Sequence, residues 1–129
     1  MSKKIKDIYI NVDIFHTDVF VLIGDKEHVL EWAKKNILHK MYIEFKEGWE
    51  SKSGKESIKD STQGMAVHLN GGGTIVWVRS LNMVYLMHEL AHVQHHLLRT
   101  KGIELNDETT EVYAYLTDYF YRCITKALK

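Results

Sequence analysis

Residues 88–92 read His88-Glu89-Leu90-Ala91-His92, two histidines four apart with a glutamate beside the first. They continue Met83-Val84-Tyr85-Leu86-Met87, an apolar run that reads as a buried helix. Positions i and i+4 of a helix share one face, so the two imidazoles can bind one ion together. Imidazole nitrogen and carboxylate oxygen are ligands that zinc accepts. Glu89 projects beside the pair, placed to act on a water rather than to ligate. The spacing predicts a hydrolytic zinc site with one Zn2+ per chain.

Two histidines are one ligand short, because such sites use three protein ligands and one water. His96 continues the spacing but lies eight residues from His88, about 12 Å along a helix at ~1.5 Å per residue. With Zn–N bonds of about 2 Å, one ion cannot reach both, and His95 fails in the same way. A metzincin would need Gly and His where His95 and Leu98 stand. The next helix offers Glu108 and Glu111, and residues 93–110 separate His92 from Glu111, an HExxH-x18-E spacing.

At these residues the chain resembles the gluzincin metallopeptidases, and Glu111-Val112-Tyr113-Ala114 is similar to the Glu-x-x-Ala of the ImmA/IrrE-like peptidases. The resemblance covers roughly residues 74–120. It implies Glu111 as third zinc ligand, with Ala114 letting two helices approach closely. It also implies that strand Thr74–Val78 rims the cleft, where its free edge would pair with an extended peptide. The implied activity is hydrolysis of a peptide bond, in a peptide or a specific protein partner, with Glu89 as general base. Tyr115, one turn from Glu111, is the candidate for holding the oxyanion, with Tyr113 and Tyr85 as alternatives. The other reading is a zinc-stabilised binding module without turnover, in which His68, His95 or His96 would close the fourth position. Glu89 and His92 also form a di-iron Glu-x-x-His pair, but the chain lacks the second pair that a bundle needs.

The elements that must position these residues follow from periodicity. Residues 7–15 and 17–23 alternate as strands. A helical period starts near Lys26 and ends near His39 or runs on to Glu47, with Met41–Phe45 as an alternative short strand. The polar stretch 48–64 reads as a flexible flap outside the core. Met65–Leu69 and Thr74–Val78 form a hairpin over Asn70–Gly73. Ser80 or Asn82 caps the HExxH helix, which ends at Gly102, and Asn106 or Asp107 caps the last helix. The expected fold is α+β, a single minimal zincin-like domain over 1–129. A small twisted sheet packs on the first helix and the HExxH helix, and the last helix crosses behind to deliver the third ligand.

Composition narrows the partners. With 17 basic and 17 acidic residues among 129, no field favours nucleic acid or an anionic membrane. No stretch approaches the ~20 apolar residues of a membrane span. The start alternates through Asp7–Asp13 instead of forming a leader's apolar core. The single Cys123 has no disulfide partner and falls on the apolar side of its helix. These features predict a cytoplasmic protein and leave its oligomeric state open.

Overall fold

The computed structural model describes residues 4–54, 63–70 and 72–129. Strand β1 (Lys6–Val12) and strand β2 (Thr17–Ile23) pair antiparallel across a 3-10 turn at Asp13–Phe15. His16 closes that turn in the left-handed region at φ 51°. Helices α1 (Val29–Asn36) and α2 (His39–Gly54) follow, then β3 (Gly64–His68), β4 (Thr74–Val78), α3 (Met83–Thr100) and α4 (Thr110–Ala127). The sheet order is β1-β2-β4-β3, with β2 and β4 parallel and the other pairs antiparallel. The α+β class is as the sequence predicts.

Two apolar cores lie on opposite faces of this sheet. On one face Ile8, Ile10, Val19, Val21, Val76 and Val78 pack against Leu86, Leu90 and Val93 of α3 and Leu116, Phe120 and Ile124 of α4. On the other, Leu22, Ile75 and Trp77 pack against Val29, Trp32, Phe45 and Trp49 of α1 and α2. The first helices and the HExxH helix thus cover different faces. Every residue of β4 is buried, because an apolar run with no alternation is stable only with both faces covered. β1 alternates, with Ile8, Ile10 and Val12 buried on one face and, on the other, Asp7 accepting from Trp32 Nε1 at 2.8 Å.

Three expectations change here. The first helix breaks at Ile37, which is extended (φ −119°, ψ 161°), and α2 then runs through the region read as helix or short strand. Residues 48–54 belong to α2 and not to a loop. Trp49 is 6% exposed and meets Trp77 edge-on at 5.5 Å, so this part of the supposed flap is core. Most of the rest of that stretch, residues 55–62, lies outside the described residues. Finally, β4 has both edges paired, so Thr74–Val78 is not a free rim; the outer strand beside α3 is β3.

Candidate metal centre

Asn82 fixes the start of α3: its Oδ1 accepts from the Val84 and Tyr85 amides at 2.9 and 3.4 Å. Leu86, Leu90, Val93 and Leu97 then bury one side of the helix. His88 and His92 fall on the other side, with ring centroids 4.9 Å apart. Their ligating atoms and a Glu89 carboxylate oxygen all lie within 4.8 Å of one another. In a tetrahedral zinc site with bonds of about 2 Å, neighbouring donors sit roughly 3.3 Å apart, so small side-chain rotations would close this group on an ion. The donor set therefore fits zinc.

The two kinds of side chain are held differently. The His88 side chain is 68% exposed, whereas that of Glu89 is 12% exposed and 4.0 Å from His88 Nε2. Glu89 is walled in by β3. A Cβ on Gly64 would come within 2.9 Å of Glu89 Cγ and 3.1 Å of the Trp77 carbonyl oxygen. The strand can run this close to the carboxylate because residue 64 has no side chain. Sequence reasoning passed over Gly64, and a glycine at a strand end was its only signal.

Glu89 lies between two cavities. One, of about 420 Å³, follows α3 along β3 and is lined by His68, Glu89, His92, His95, His96 and Arg99 with the strand residues Gly64–Ala66. The other, of about 340 Å³, is bounded by Gln63, Gly64, Val84, Tyr85 and His88. His68 of β3 stacks flat on His96 at 3.7 Å and 8°, and its Nδ1 is 3.1 Å from Thr74 Oγ1. Burial, reinforced by the positive charge of Arg99 and then His95, holds the His96 pKa below its ordinary value. His16 and His39 are exposed, and half-buried His28 lies 4.0 Å from Glu27.

The last helix docks elsewhere on α3. The Gln94 amide donates to the Tyr113 carbonyl and accepts from Thr117 Oγ1 at 2.8 Å. Gln94 is two residues beyond His92, roughly 200° round the helix. Glu111 stands nine residues before buried Phe120, half a revolution away at about 100° per residue, on the exposed outer face of α4. Among the described residues, the possible metal-binding group is His88, Glu89 and His92; neither Glu111 nor Glu108 joins it. Tyr115 is 68% exposed and lines a separate groove with Val12–Phe15. Tyr113 turns its hydroxyl to the Ile103 carbonyl, and of the three tyrosines considered only Tyr85 borders the cavities beside Glu89.

No family model matches the chain, and no curated protein and no solved structure matches it. No helix among the described residues is long and apolar enough to cross a membrane.

Proposed function

We propose that this chain is a zinc-dependent metallopeptidase that hydrolyses a peptide bond, with a peptide or a specific protein as substrate. The reading rests on one observation, the gathering of His88, His92 and the Glu89 carboxylate within 4.8 Å, with Glu89 lining the cavities on either side. His88 and His92 would hold the zinc, which when bound supplies a Lewis acid and an acidified water. Glu89, half-enclosed by β3, takes the proton and passes it to the leaving amine. Tyr85 lines the cavity that His88 and Glu89 share. Glu111 is our candidate third ligand. Reaching it requires the first turn of α4 to turn its outer face inward, against the Asn106 Oδ1 that accepts from the Glu108 and Thr109 amides at 2.9 and 3.1 Å.

A second reading is favoured by the same grouping. If Glu89 is itself the third ligand, no base remains and the site is a zinc-stabilised binding module. One set of variants separates the two. The wild type should carry about one zinc, and His88→Ala and Glu111→Ala should lose it. Glu89→Gln should keep the zinc while peptide hydrolysis falls by ~10² or more. Loss of zinc from Glu89→Gln would establish the binding module. Full zinc in both His88→Ala and Glu111→Ala would remove the proposed site.

A further inference from the structure

The cavity beside Glu89 is polarised along its length. His92 and Arg99 are seven residues apart, two helical turns, so they share a face about 10 Å from each other. Among the described residues Glu89 is the sole carboxylate lining the cavity, and it lies at the metal end. The far end carries Arg99 with His95 and His96, and His68 closes it from the strand side. Among the described residues, no carboxylate lies within ion-pair distance of Arg99. The guanidinium suits the last turn of α3, where a cation meets the negative end of the helix dipole. It is also a five-donor fork shaped for planar oxoanions.

Taking the metallopeptidase reading as its basis, we propose that this end of the cleft selects substrates carrying an anionic oxo group, a carboxylate or a phosphate, about three residues from the scissile bond. Arg99 is the specificity-determining residue, and the ring N–H groups of His95 and His96 are further donors. The distance follows from the fold. An extended peptide advances ~3.3 Å per residue, so the axial rise of about 10 Å from His92 to Arg99 corresponds to three residues. Burial lowers the proton affinity of His96, and the positive charge of Arg99 and then His95 lowers it further.

Two measurements test this, and they fail separately. In the first, inorganic phosphate and N-acetylglutamate are titrated into the full chain while the His96 ring is followed by NMR. A saturable shift with a raised His96 pKa is expected in the wild type, and its loss in Arg99→Gln. No saturable shift with either probe overturns the anion site, whatever the state of the peptidase reading. In the second, peptides with Glu, phosphoserine or Gln three residues from the cleaved bond are compared. Glu or phosphoserine should raise kcat/KM about tenfold over Gln, the scale of one charge-assisted contact, and Arg99→Gln should abolish the difference. Whichever of the two is favoured names the source of the anion. Cleavage with equal kcat/KM for all three overturns the inference and leaves the peptidase standing. Binding of the anions with no cleavage of any peptide supports the site and removes the peptidase.

Discussion

Single residues decide whether the Glu89 carboxylate is usable. Gly64→Ala would place a methyl against Glu89 Cγ on one side and the Trp77 carbonyl on the other, and the backbone oxygen cannot yield. The variant should lose roughly 1–3 kcal/mol by overpacking, read as a lower urea midpoint. It should keep its zinc through His88 and His92. An unchanged midpoint would mean that the strand does not confine Glu89. His96 supplies a pH test. Its folded pKa lies below the unfolded value of about 6.5, so the unfolded chain binds the extra proton. Its contribution to stability is therefore present above the unfolded pKa and is lost as pH falls through the folded one. The wild type should drop further in urea midpoint between pH 7.5 and 5.5 than His96→Phe, which keeps a ring on His68 but cannot titrate. Parallel losses would exclude His96 as the cause. At this scale much was legible from spacing alone: an i,i+4 pair on a long periodic helix has one arrangement. Gly64 and the His68–His96 stack were not, because each matters through a neighbour far away in sequence.

Among the elements, α2 shows where periodicity misleads. Its polar second half reads as a loop, since Ser, Lys and Gly dominate, yet Trp49 anchors it against Trp77. Gly48 lets the helix approach β3, and a Cβ there would lie 2.9 Å from Val67 Cγ1. In an exposed helix Gly→Ala gains about 1 kcal/mol. Here the methyl meets a buried, β-branched side chain with little rotamer freedom, a clash of ~1–3 kcal/mol. Gly48→Ala should be net destabilising in urea, whereas net stabilisation would show that α2 and β3 can separate at no cost. α3 was readable along its length, and of the two cap candidates, Ser80 and Asn82, it is Asn82 that caps it. The orientation of α4 was not. Its own pattern shows which side is apolar, but the Gln94–Thr117 hydrogen bond that docks it on α3 joins residues 23 apart. Hence a glutamate at a suggestive spacing stands on the outer face.

For the whole molecule, the sheet is the shared wall of two cores. β4 contributes Val76 and Val78 to one and Ile75 and Trp77 to the other, so neither can melt without exposing the strand the other needs. Removing Trp49, which touches only the α2 side, should cost about 3–5 kcal/mol and lower the stability of the α3–α4 side equally. Amide exchange in α3 checks this: unchanged protection in Trp49→Ala would mean that the layers unfold independently. The division of aromatic residues between the layers has a practical consequence. Trp32, Trp49 and Trp77, the chain's three indoles, all belong to the layer that faces away from the cleft. Emission excited at the red edge of the spectrum therefore reports on that layer alone. A ligand or metal entering beside Glu89 would leave it almost dark to the event, and an optical assay of the cleft will need an indole placed on the cleft side of the sheet.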